Sequence, residues 1–121
     1  SDFLEIIENC INGTLEKIEL IWKNKKSICV VLSSKGYPDK FEKKIIIKNI
    51  NRVNLKKNEY IFHAGTIKDK EEIYSNGGRV LNFVVLSKEF KESRNNIIRL
   101  INQIDWANGF YRKDIGYKVI Y

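Results

Sequence analysis

The sequence predicts an α+β domain with a mainly antiparallel sheet. Three observations carry that prediction. The chain has 121 residues, enough for one domain around one hydrophobic core. Apolar residues recur at helical spacing in two segments, one at the start and one past residue 87. Between and after them stand short β-branched runs set apart by turn residues. The order is helix, several strands, helix, strand, with two main helices, and a barrel-like closure of the sheet is one arrangement open to it.

The opening "SDFLEIIENCINGTLEKIELIW" begins as a helix. Ser1 or Asp2 can accept a backbone N–H at its start. Phe3, Leu4, Ile7, Cys10 and Ile11 then form one apolar face, and Gly13 suits the left-handed position that ends a helix. Ile18, Leu20 and Trp22 alternate weakly, as in a strand. "SICVVLSS" is a continuous β-branched run, compatible with a buried strand. "KGYPDKF" is the strongest turn, with Pro38 between Gly36 and Asp39. Residues 42–58 read as a loop, a short strand at Ile45 to Ile47, and a second loop. "EYIFHAG" and "RVLNFVVLS" are two clear strands that form an antiparallel unit, with short extra strands at Ile67 and Ile73. "SKEFKESRNNIIRLINQIDW" is the best helix: Ser87 can cap it, and Phe90, Ile97, Ile101 and Ile104 share a stripe flanked by Ile98. Gly109 and Gly116 punctuate the end, which closes on an apolar strand from Tyr117 to Ile120.

Composition narrows the function classes. With 43% hydrophobic and 31% charged residues the chain is a soluble, folded mix rather than a disordered one. No apolar run approaches the length of a membrane span, so no membrane partner is expected. The sequence contains no methionine and reads as a piece of a longer protein. Cys10 and Cys29 stand in apolar runs, as expected of reduced core thiols in a cytoplasmic protein. One histidine and two distant cysteines do not make a zinc set. The net charge of +7 invites a nucleic-acid partner. The lysine pairs fall in apparent turns, however, and an anionic small molecule is the better fit; no nucleic acid is expected.

Three groups of residues can carry chemistry. His63 is the lone histidine and can act as acid, base or ligand, but no nucleophile motif accompanies it. Gly77, Gly78 and Arg79 combine a backbone open to close approach with a guanidinium able to grip a phosphate or carboxylate through two parallel N–H bonds. The spacing is not that of a Walker A loop or a dinucleotide fingerprint, and an ordinary turn followed by a solvated arginine has the same appearance. In "YRKDIG", Arg112, Lys113 and Asp114 are either surface charge or a pair that fixes the last turn. Glu71 and Glu72 read as turn solvation.

Taken together, the segments resemble the C-terminal part of the phosphoribosylamine–glycine ligases, ATP-grasp enzymes of purine biosynthesis. The opening helix resembles the family's "SDL-L" helix. "SICVVLSSKGYPDKFEKK" resembles its "VCVVLASGGYP–YEKG" stretch. "IFHAGT", "NGGRVLNFVVLSKEF" and "FYRKDIGYKVI" follow in the family's order. The chain departs from that pattern at Lys35, Phe41, Lys44, Asn82 and Phe83. Lys44 stands where the family usually has glycine.

The resemblance implies a reaction. The family joins glycine to 5-phosphoribosylamine with ATP, by way of a glycyl phosphate, and releases ADP and phosphate. Magnesium or manganese serves as the metal. The ligands for ATP and metal lie upstream, so no catalytic or metal residue is assigned within this chain, and the fragment alone is expected to be inactive. Residues 1–13 are expected to form a helix belonging to the end of the ATP-grasp core, and residues 14–121 the C-terminal domain packed on the missing ATP-grasp domains. By analogy within the superfamily, Arg79, with Gly77 and Gly78, is expected to wall the sugar-phosphate pocket, and His63, Gly65 and Thr66 to line the same cleft. Two other classes stand beside this one: a basic binding module for nucleic acid, and a structural lid with no substrate contact.

Overall fold

The computed structural model describes residues 1–120. The first helix, α1, spans Phe3–Ile11. Asp2 caps it: its Oδ1 accepts from the amides of Leu4 (2.7 Å) and Glu5 (3.4 Å). Gly13 follows at φ +64°, the left-handed turn expected at the C-terminus. A 3-10 turn at Leu15–Lys17 comes next. Residues 18–22 form no strand, which corrects the alternation expected there. The main chain at Glu19 and Ile21 bonds instead to the chain start. Ser1 donates its terminal amine to Ile21 O, and its Oγ accepts from Ile21 N, both at 2.8 Å. No residue of α1 is buried, and Trp22 is 83% exposed.

The body is built on two antiparallel sheets. The larger has the strand order β3-β6-β1-β7, with β1 at Lys26–Ser34, β3 at Glu59–His63, β6 at Arg79–Ser87 and β7 at Gly109–Phe110. The smaller has the order β2-β5-β4, from Ile45–Ile46, Glu72–Ser75 and Thr66–Asp69. The fold class is therefore α+β with antiparallel sheets, as the sequence predicts, and the sheets do not close into one barrel. The "EYIFHAG" and "RVLNFVVLS" strands pair directly, from Glu59↔Val85 to His63↔Leu81, and the short strands around Ile67 and Ile73 form the hairpin between them.

Helix α2, Phe90–Ile101, lies across one face of the larger sheet. Strand periodicity sorts the side chains. Ile28, Val30 and Leu32 of β1 and Leu81, Phe83 and Val85 of β6 turn toward α2 and meet Ile97, Leu100 and Ile101 in the core. The alternation breaks once. Register shifts between Leu32 and Ser33, so that Leu32 faces Leu81 but Ser33 faces Arg79. Val80 is the extra residue of this β-bulge, and consecutive Val80 and Leu81 are both fully buried. Arg79 is thereby exposed on the opposite side.

Several local expectations are corrected. Ser87 does not cap α2; the N-cap is Glu89. Ser87 is the last residue of β6, buried, and its Oγ donates to Glu89 O at 2.6 Å and lies 2.7 Å from Ser93 Oγ. Tyr117–Ile120 is a short helical turn, α3, not a strand. Gly116 at φ +82° turns the chain, and the amides of Tyr117 and Val119 bond back to Asp114 O and Gly116 O. The small strand β7 lies earlier, at residues the sequence left as punctuation. Both cysteines are exposed. Cys10 lies on a helix that buries nothing, and Cys29 alternates away from the core.

Candidate functional site

The two glycine motifs meet where β3 and β6 end. Past His63 the pairing continues through Ala64, whose amide donates to Val80 O, and Gly65, whose amide donates to Arg79 O, each at 3.0 Å. Gly65 O accepts from Asn76 N at 2.7 Å. The backbones are so close that a Cβ on Gly65 would lie 2.6 Å from Arg79 O and 2.7 Å from Gly77 Cα. Gly65 and Gly77 are therefore required by close approach. From β1, Ser34 closes the other side: its amide donates to Gly78 O and its Oγ to Gly77 O, both at 2.8 Å. The Tyr37 ring lies over Gly78, where a Cβ would come within 2.5 Å of Cε2. The three carbonyls of the "GGR" backbone are thus committed to internal bonds, and the turn presents the Arg79 side chain outward.

Arg79 takes part in neither ion pair among the described residues, Arg99–Glu59 and Arg112–Asp114. It lines a groove of about 240 Å³ with Cys29, Ser33, Phe110, Tyr111 and Arg112. Arg112 is fixed by Asp114: Nε and Nη2 donate to the two carboxylate oxygens at 3.2 and 2.8 Å. The pairing lowers the Asp114 carboxyl below its ordinary range, the Arg112 hydrogen bond being the main cause. Arg94 of α2 holds the same loop by donating to Lys113 O and, at 3.2 Å, to Ile115 O. The "YRKDIG" segment is thus a braced loop that carries a second guanidinium to the Arg79 groove.

The expected site residues divide. The structure brings Gly65, Gly77, Gly78 and Arg79 into one backbone cluster. His63 and Thr66 flank it and contact each other, with Nδ1 and Oγ1 3.1 Å apart. His63 shares the register face of Leu81, whereas Arg79 belongs to the outer face. Ser34, Tyr37 and Arg112 build or border the site and were not singled out for it. The hydroxyl in "SSKGYP" next to a turn is a weak signal for Ser34; Arg112 reads from sequence only as surface charge or a turn pair. For the metal that the resemblance implies, the residues do not fit: no group of three or more His, Cys, Asp or Glu side chains is clustered among the described residues. No described helix is long and apolar enough to cross a membrane.

The fold and this glycine–arginine edge define a small α+β domain with one helix-covered sheet and an arginine groove on the opposite side. The family model described as phosphoribosylglycinamide synthetase, C domain, matches residues 27–118, and the chain belongs to that family. It is 40% identical over 116 residues to a phosphoribosylamine–glycine ligase of Caldanaerobacter subterraneus subsp. tengcongensis, covering 96% of this chain and 27% of that protein. It is 36% identical over 121 residues to the bifunctional purine biosynthetic protein purD of Dictyostelium discoideum, covering 99% of this chain and 15% of that one. The crystal structure of a phosphoribosylamine–glycine ligase from Thermotoga maritima superposes with a TM-score of 0.66 at 29% identity, covering 88% of this chain and 27% of the other. The chain therefore spans about a quarter of the length of the ligases it matches.

Proposed function

We propose that the chain is the C-terminal domain of a phosphoribosylamine–glycine ligase and forms one wall of its active-site cleft. The family match over residues 27–118 carries this reading. In the proposed reaction the glycine carboxylate, a poor electrophile, takes a phosphoryl group from ATP. The amine of 5-phosphoribosylamine then attacks the glycyl carbon and displaces phosphate, forming the amide. Magnesium or manganese would be held outside this chain, as would ATP, and the chain alone would be inactive. Residues 14–121 would be the domain proper. Residues 1–13 would belong with the ATP-grasp core; that α1 buries none of its apolar residues here supports this division. The parent protein would work in the cytoplasm.

Arg79 would grip the sugar phosphate, with Gly77 and Gly78 shaping the wall and His63, Gly65 and Thr66 bordering it. Its support is an outward guanidinium that takes part in neither ion pair among the described residues, on a closely packed backbone turn. Arg79→Ala in the full-length enzyme is expected to raise KM for phosphoribosylamine by about tenfold or more, the scale of one lost charge-assisted pair. KM for ATP should change little. Unaltered kinetics in Arg79→Ala and His63→Ala together would reduce the domain to a lid without substrate contact.

A further inference from the structure

An antiparallel sheet that faces water on one side carries polar residues there. The middle of the larger sheet departs from this, with polar residues mainly at the ends of that face. On the face away from α2, the register aligns Tyr60, Val84 and Cys29 in one row and Phe62, Asn82 and Val31 in the next. Asn82 is the only polar member of these six. Tyr60 is 41% and Phe62 53% exposed, and their rings stack at 6.1 Å between centroids. Phe110, opposite Ser33, extends the apolar surface to the groove of Arg79 and is 40% exposed. Cys29 is likewise exposed and Val84, Asn82 and Val31 are half-buried, with Tyr111, Arg112 and Ile115 bordering the Cys29 end of the face. A contiguous apolar patch ending in a charged groove has the form of an interface rather than of a solvated surface.

We propose that this face is the seat of the remaining part of the same polypeptide, resting on the reading of the chain as a ligase domain. Two observations choose that occupant. The relatives carry nearly three-quarters of their length outside the region this chain matches, so a large covalently attached body is available. The face is also continuous with Arg79, so a body seated on Tyr60, Phe62 and Val84 runs its edge along the arginine groove and completes a cleft there. The sheet face sets the position of the guanidinium relative to the rest of the enzyme. Phe62 is therefore a positioning residue rather than a substrate contact.

Cys29 reports on this directly because its thiol lies in the apolar row. The experiment is peptide-resolved maleimide labelling of the native full-length protein carrying Lys91→Cys, on the exposed side of α2, as a solvent reference. Cys29 is expected to label at least about tenfold more slowly than the reference, because labelling must await opening of the interface. Phe62→Asp, at a side chain the domain itself leaves half exposed, should bring the Cys29 rate up toward that of the reference; Tyr60→Lys is the second variant should the first not fold. Equal rates in the wild-type protein would overturn the proposal, as would slow labelling that neither variant relieves. Protection lost on dilution, with a dimer mass by light scattering, would overturn it in favour of a second copy. Ligase turnover of the same wild-type preparation separates the two readings: an active enzyme with unprotected Cys29 sinks the interface alone, and an inactive one with protected Cys29 sinks the ligase assignment alone.

Discussion

Arg99 of α2 reaches across to Glu59 at the start of β3, its Nη2 lying 2.6 Å from both carboxylate oxygens. The Glu59 side chain is 3% exposed and that of Arg99 35%. The Lys56 amide donates a further bond to Glu59 Oε2 at 2.8 Å, and Gln103, one turn on from Arg99, accepts from Asn54 N at 3.0 Å. One charged group thereby fastens the helix to the turn that begins the edge strand.

Removing Arg99 should leave Glu59 as a buried charge without its counter-ion. Arg99→Ala is expected to cost stability at the lower end of about 3–5 kcal/mol, since Arg99 is partly solvated. Urea unfolding at neutral pH measures this. Arg99→Lys should recover little, because a point charge cannot reproduce the contact of one guanidinium nitrogen with both oxygens.

The same pair gives an acid-side slope. Burial alone would raise the Glu59 carboxyl, but the Arg99 hydrogen bond, the Lys56 amide and the two nearby positive charges outweigh it and hold the pKa below its ordinary value. A depressed folded pKa means that the contribution is fully present above the unfolded glutamate value of about 4.3 and is lost as pH falls below it through the folded value. Glu59→Gln should be less stable than wild type at neutral pH, and the difference should shrink in that acid window. A difference constant from neutral to acid pH would contradict the assignment.

Gly78→Ala should destabilise the domain by about 1–3 kcal/mol, the range for overpacking, because the new methyl meets the Tyr37 ring. Tyr37→Ala removes that obstacle, so the double variant should be more stable than the sum of the singles requires. A thermal-unfolding double-mutant cycle reads the coupling directly. Gly65→Ala has no such relief, since it meets backbone at Arg79 and Gly77.

Lys44 sits at φ +59°, with its amide donating to Ser75 O at 2.6 Å. The left-handed conformation costs a side-chain-bearing residue roughly 1–2 kcal/mol, and glycine gives back part of that in the unfolded chain. Lys44→Gly is therefore expected to stabilise the protein by about 0.5–1 kcal/mol. Lys44→Val should do the opposite, and a rise in Tm for valine would rule out the backbone explanation.

The glycine that the resemblance leads one to expect at position 44 thus has a physical reason here. Other features were legible for similarly local causes. Asp2 and Gly13 bracket α1 through capping and left-handed geometry, and the runs "SICVVLSS" and "RVLNFVVLS" form the strands β1 and β6. What the sequence did not disclose depended on partners distant in the chain. Ser87 looked like a helix cap because capping is a local signal, yet β6 claims it through pairing with Lys26. Tyr117 to Ile120 carried strand propensity, but the Gly116 turn closes i−3 bonds before any strand edge is met. Cys29 sits in an apolar run, and such a run cannot tell which of a sheet's two faces will be covered. At the candidate site, "GGR" and "HAGT" were visible as motifs. The contribution of Ser34 and Arg112 was not, because it depends on β1 and a braced loop arriving at the same end of the sheet.

The bulge at Val80 also sets a constraint on how this protein can change. Upstream of it, inward and outward positions of β6 are exchanged relative to the rest of the strand. Deleting Val80 would bring Arg79 next to inward-facing Leu81, so simple alternation would keep the Arg79 charge on the open face, at the expense of one fully buried side chain. Tolerance to substitution and tolerance to a change in length are therefore separate matters here. Residues along β6 can be exchanged within their faces, and the bulge absorbs one extra residue while Arg79 stays opposite Ser33 on the outer face.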